Sequence, residues 1–166
     1  MGKIIAITNQ KGGVGKTTTS VNLAAALAYL NKKVLLIDID PQANATQGIG
    51  IDRLKMNGSI YDLIVNESEI TDVILKSNVP NLDVVPSSID LAGADLELAE
   101  VKIGRERRLK EQLALIRDNY DYLLIDCPPS LGLLNTNALT ASDTVIIPVQ
   151  CEYYALEGLT QLLSTI

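Results

Sequence analysis

Apolar positions along the chain fall into two kinds of run. Short, nearly unbroken runs lie at Ile4–Thr8, Val34–Ile37, Leu82–Val85, Tyr122–Ile125 and Thr144–Val149. They do not alternate with polar residues, which is the pattern of strands buried on both faces of a parallel sheet. Between them apolar residues recur at helical spacing, as Leu23, Leu27 and Leu30, then Leu109, Leu113 and Ile116, then through Leu131–Ala141. The order βαβ(α)βαβαβ predicts the α/β class, with an open, mostly parallel sheet, helices on both faces and right-handed crossovers. Such sheets bind their ligands outside the carboxyl ends of the strands. Asp52–Val79 carries the weakest pattern and predicts short helices at Ile60–Val65 and Ile70–Lys76. At the end of the chain, Leu156, Leu159, Leu162, Leu163 and Ile166 predict a helix with no stop signal after it, so the sequence is expected to break off within a helix.

Composition narrows this picture. With 166 residues, 47% of them apolar, the chain is expected to form a single domain over residues 1–166 that buries roughly 70% of its unfolded surface. Fourteen basic against 20 acidic residues give a net charge of −6, so the chain lacks the overall positive field that draws proteins to nucleic acid. The first ten residues run straight into a strand, with no export signal and no apolar run of about 18 residues, and a cytoplasmic location is expected. Cys127 and Cys151 are too few for a disulfide framework and are expected to be reduced thiols.

The chemistry is concentrated where strands end. After the first strand comes "NQKGGVGKTTTS", Asn9 to Ser20. Gly12, Gly13 and Gly15 let the backbone wrap an anion with its N–H groups, Lys16 supplies a point charge, and Thr17 opens a helix with a hydroxyl suited to Mg²⁺. The usual phosphate-loop pattern wants glycine at position 10, where Gln10 stands, and it needs one lysine where this loop has two, Lys11 and Lys16. "VLLIDIDPQ" ends a second strand on Asp38 and Asp40, which at a period of two can point the same way, with Pro41 holding Asp40 extended. "YDYLLIDCPP" ends a third on Asp126, a carboxylate suited to steadying Mg²⁺, before Pro128 and Pro129 stop the ladder.

"KGGVGKTT" resembles the deviant Walker A motif of the ParA/MinD family of P-loop ATPases, whose hallmark is an extra lysine near the start of the loop, here Lys11. "DIDPQANAT", "IDCPPSLG" and "PVQCEYYALEGL" are similar to the ParA/Soj group within it, and the resemblance covers essentially the whole chain. It implies a P-loop NTPase fold in which the Ile4–Thr8 and Tyr122–Ile125 strands are neighbours. It also implies that family members continue well past residue 166, so that the C-terminal part of the family domain is absent. The implied activity is Mg²⁺-dependent ATP hydrolysis by a homodimer with two nucleotides sandwiched between its subunits. Lys11, Gly12, Gly13, Val14, Gly15, Lys16, Thr17 and Thr18 would bind nucleotide. Lys16 would act in cis and Lys11 across the interface, where Gly12 and Gly13 let the two backbones approach. Asp40 would orient the attacking water, Thr17 would bind the metal, and Asp38 and Asp126 would steady the metal's waters. The implied setting is chromosome or plasmid partitioning on the nucleoid. A ParB-like protein would be the partner, and non-specific DNA would be held by a basic surface formed largely by later sequence. A MinD-like membrane-bound division regulator and a nucleotide-binding scaffold without hydrolysis are the alternatives.

Other candidates receive plainer readings. Lys102, Arg105, Arg107, Arg108 and Lys110 are interrupted by Glu106 and Glu111 and precede an apolar stripe, which favours a solvated amphipathic helix over a DNA surface. Cys127 and Cys151 do not match the cysteine motif of the iron–sulfur protein that shares this fold, and are expected to be small core thiols. Tyr153 and Tyr154 are expected to pack or to form an interface.

Overall fold

The computed structural model describes residues 1–52 and 56–150. The predicted C-terminal helix, Cys151, Tyr153 and Tyr154 lie outside them. Strand β1 (Lys3–Ile7) leads into helix α1 (Lys16–Tyr29), then β2 (Val34–Asp38) and the short helices α2 (Asn44–Gly48), α3 (Ile60–Ile64) and α4 (Ile70–Val73). Strands β3 (Leu75–Lys76) and β4 (Leu82–Val85) follow, then a 3₁₀ turn at Ile89–Gly93 and helices α5 (Ala94–Glu100) and α6 (Arg108–Ile116). Strand β5 (Tyr122–Asp126), helix α7 (Leu133–Ala141) and strand β6 (Thr144–Ile146) complete the order. The sheet runs β3-β4-β2-β5-β1-β6, parallel throughout except for the two-residue edge strand β3, which pairs antiparallel with β4.

Alternation along the strands divides the core between two faces. Leu35, Ile37, Leu123 and Ile125 face α3 to α7, whereas Val34, Leu36 and Leu124 face α1 and α2. Helices therefore cover both sides, which is why the strand sequences read as continuous apolar runs. The β1–β5 adjacency is as expected, with Ile7 beside Asp126, and β2 brings Asp38 beside the same residue from the other side. Three strand ends thus meet at the carboxyl edge of the sheet.

Three details depart from the sequence pattern. The buried face of α1 carries Lys16, Ser20, Ala24 and Ala28, while Leu30 is 70% exposed. Leu23 and Leu27 pack at the border of that face, whose centre is small and polar because this helix comes close enough to the sheet to touch Asp126. The predicted Ile70–Lys76 helix breaks after Val73 and its end becomes β3. Strand β6 stops at Ile146 instead of reaching Val149, since Pro148 has no N–H to donate.

Candidate nucleotide site

The loop between β1 and α1 is built to leave amides unspent. Gly13 and Gly15 have φ of +74° and +90°, a left-handed conformation that side-chain-bearing residues rarely adopt. No side chain caps α1, so its first N–H groups and the positive end of its dipole face outward from the loop. A Cβ placed on Gly12, Gly13 or Gly15 would meet nothing within 4 Å, so the cradle is open on its outer side. Its edges are tied down elsewhere. Asn9 accepts from the Lys11 N–H (3.0 Å) and donates to the Pro148 carbonyl (2.8 Å), and Gln150 donates to the Gly13 carbonyl (3.0 Å).

Lys16 is only 7% exposed, and its ammonium donates to the Lys11 carbonyl at 3.2 Å. Burial lowers its pKa, while Asp126 and Asp40 nearby act in the opposite direction. Both oxygens of the fully buried Asp126 are held from α1, by the hydroxyls of Thr17 (2.8 Å) and Ser20 (2.7 Å). A cavity of about 410 Å³ opens over this group, lined by the glycines, Lys16, Thr17 and Thr18, and on the other side by Asp40, Gln42, Asn44 and Pro129. Val14 is buried beneath the loop as an apolar anchor. Lys11, at the start of the loop, is half-buried.

Asp38 and Asp40 do not share one outlook. Asp40 reaches the cavity, and its carboxylate also accepts from the Gln42 N–H at 2.9 Å. Asp38 is enclosed, with three donors on its two oxygens: the N–H of Asp40 and both the N–H and the hydroxyl of Thr46. Of the polar residues here, Ser20, Thr46, Gln42 and Asn44 escape the sequence reading. Ser20 alone carries a usable signal, one helical turn beyond Thr17.

Burial pushes the Asp38 carboxyl up from its ordinary 3.8 to about 7, opposed by the Thr46 and Asp40 donors, and burial raises Asp126 in the same direction. A raised folded-state pKa means a contribution to stability that is full below the unfolded pKa and lost as pH rises through about 7. The stability of Asp38→Asn relative to the unsubstituted protein should therefore shift in the variant's favour between pH 5 and pH 8. Urea midpoints at the two pH values measure it, and an equal difference at both would place the Asp38 titration elsewhere.

Three other features belong elsewhere. A cavity of about 400 Å³ lies between Lys33, Lys76, Asp83 and Tyr120 at the opposite end of the sheet, but Asp83 is already bonded to Lys76 and Tyr120, both at 2.8 Å, and no glycine loop faces it. In the basic stretch, Arg108 pairs with Glu67 at 2.6 Å and Arg105 with Glu106 at 3.0 Å, while Leu109, Leu113 and Ile116 are buried, as in an amphipathic helix. Cys127 is a buried thiol whose pKa burial raises.

Comparison with known proteins agrees with this geometry. The family described as AAA domain (AAA_31) matches residues 2–166. The sporulation initiation inhibitor protein Soj of Bacillus subtilis (strain 168) is 64% identical over 166 residues, covering 100% of this chain and 65% of that protein, so the chain spans just under two thirds of its relative. A solved structure of a Mycobacterium smegmatis protein described as cobyrinic acid a,c-diamide synthase, with bound ADP and magnesium, has a TM-score of 0.94 at 42% identity, covering 100% of this chain and 67% of that one. A putative plasmid partition protein of Borrelia burgdorferi B31 bound to AMPPNP has a TM-score of 0.85 at 38% identity, covering 99% and 68%. Matched by the family from its second residue to its last, this chain belongs to the AAA domain family and, within it, to the ParA/MinD group of deviant Walker A P-loop ATPases.

Proposed function

We propose that this chain is the nucleotide-binding domain of a ParA/Soj-type switch that dimerises with ATP, hydrolyses it to ADP and phosphate, and serves chromosome or plasmid partitioning. The observation that carries this reading is one cavity bounded by the Gly12–Thr17 amides, the nearly buried Lys16, the Thr17–Asp126 pair and Asp40. An anion fits there, since donors and a cation converge on open space. The residues also suit a magnesium ion: Thr17 offers a hydroxyl oxygen already oriented by Asp126, and the Asp40 carboxylate stands across the cavity. Bound there with ATP, a magnesium ion held at Thr17 would supply charge neutralisation to the phosphates.

The chain's own residues do the rest. Loop amides and Lys16 hold the phosphates, Lys11 reaches those of a second subunit, and Asp40 orients the attacking water. Asp126 steadies the metal's waters beside Thr17, and Asp38 contributes through the turn that carries Asp40. Gly12, with open space around it, would let a second subunit's backbone approach. A ParB-like partner and non-specific DNA complete the cycle, which places the protein on the nucleoid in the cytoplasm. Among the described residues no helix is long and apolar enough to cross a membrane. The plasmid partition relative favours the DNA system over a MinD-like division regulator.

Phosphate release by the full chain, measured alone, with plasmid DNA, with plasmid DNA and a ParB-like partner, and with liposomes, tests this reading. Slow release that DNA and a ParB-like partner accelerate is the expected result. Acceleration by liposomes and not by DNA would favour the membrane regulator, and tight ATP binding without release would favour a scaffold.

A further inference from the structure

A buried chain of hydrogen bonds runs behind the cavity wall. The Ser87 N–H, just past β4, donates to the Thr46 hydroxyl oxygen at 3.0 Å. That hydroxyl donates to Asp38 Oδ2 at 2.7 Å, and the Thr46 N–H donates to the same oxygen at 2.8 Å. Asp38 Oδ1 accepts from the Asp40 N–H at 3.1 Å. Thr46, Asp38 and Ser87 are all 0% exposed, so no water substitutes for a missing partner. With Asp38 ionised, the Thr46 hydroxyl accepts from the Ser87 amide and gives its single proton to Asp38, and a side chain lacking a hydroxyl can do neither.

We propose that Thr46 is a positioning residue for hydrolysis, holding the Asp38 carboxylate and through it the Asp40 main chain whose side chain faces the phosphate cavity. This rests on the assignment of Asp40 to the attacking water. Besides the Ile39 N–H on the Asp126 carbonyl, which holds the chain against β5 just before the turn, the Asp40 turn is restrained by the Gln42 N–H on its carboxylate and the Ala43 N–H on its carbonyl. The last two lie within the turn itself and move with it, whereas Thr46 and Ser87 tie it to α2 and the end of β4. A displacement of about 1 Å in a catalytic group costs on the order of 10²-fold in rate.

The experiment compares Thr46→Val, Thr46→Ser and Ser87→Ala in the full chain, reading kcat by phosphate release, ATP affinity by fluorescence titration and the Asp40 amide by NMR hydrogen exchange. Thr46→Val should lose about tenfold or more of kcat with ATP affinity within about threefold, and the Asp40 amide should lose protection. Thr46→Ser, which keeps the hydroxyl, should restore both. Ser87→Ala should change little, since the chain uses its N–H and its own hydroxyl has no partner among the described residues. Where the valine variant melts below assay temperature, Thr46→Ala takes its place. Unchanged kcat and amide protection in Thr46→Val would overturn the proposal, as would equal losses in the serine and Ser87 variants, which would mean generic packing. Phosphate release that does not depend on Asp40 would overturn this proposal together with the assignment it rests on, and is recognised by an active Asp40→Ala.

Discussion

Replacing Lys16 by alanine should abolish useful ATP binding. The side chain is nearly buried, lies close to Asp126 and Asp40, and borders the cavity where the loop amides converge. It has already given up most of its hydration in the folded protein, so bound phosphate gains a desolvated cation at little further cost. Truncating one member of such a charge pair costs about 2–4 kcal/mol, which lowers affinity by a factor of roughly 30 to 1,000. The fold itself should survive, because the ammonium makes a single hydrogen bond among the described residues, to the Lys11 carbonyl. Calorimetric titration of the full chain with ATP and Mg²⁺ measures the loss. Affinity within a few-fold of the unsubstituted protein would remove Lys16 from the phosphate site.

Asp40→Ala should act on a different step. The substitution removes the carboxylate that faces the cavity but leaves Lys16, Thr17 and the loop amides untouched, so ATP binding and dimerisation should persist. Loss of a positioned general base or water-orienting group costs about 10²–10⁴-fold in rate. The Asp40 N–H still donates to Asp38, and only the bond from Gln42 is lost from the turn, which limits the structural damage to about 1 kcal/mol. Single-turnover phosphate release separates binding from chemistry. Normal turnover in the variant would show that water is oriented by another group.

The parts of the fold legible in the sequence were those with long, regular signals. Strands buried on both faces announce themselves as unbroken apolar runs, and β2, fully buried over all five residues, is the clearest of them. Helix α2, with the sequence "NATQG", has no apolar periodicity because it exists to carry Ala45 and Thr46 under the end of β2. Helix α5 buries only Ala94 and Leu98 and leaves Leu96 78% exposed, so its pattern is blurred. Strand β3 is two residues long, and its pairing with β4 is a tertiary event that no local pattern reports. At the site, Lys16, Thr17 and Asp126 are legible because a glycine loop and a strand end each constrain them locally. Thr46 and Ser87 are not, because a lone hydroxyl or backbone amide becomes chemically meaningful only when a distant strand end meets it. Asp38 and Asp40 look equivalent at a spacing of two, and tertiary packing alone separates the enclosed carboxylate from the one facing the cavity.

The two lysines of one loop are the centre of the account. The Lys11 main chain is held on both sides, its N–H by Asn9 and its carbonyl by Lys16, so the backbone fixes where its side chain starts. Sedimentation of the full-chain Lys11→Ala variant with ATP and Mg²⁺ tests the division of labour directly. The account predicts a monomer that still binds ATP, beside an Asp40→Ala variant that sediments as a stable dimer. A Lys11→Ala protein that dimerises and hydrolyses ATP like the unsubstituted chain would contradict it.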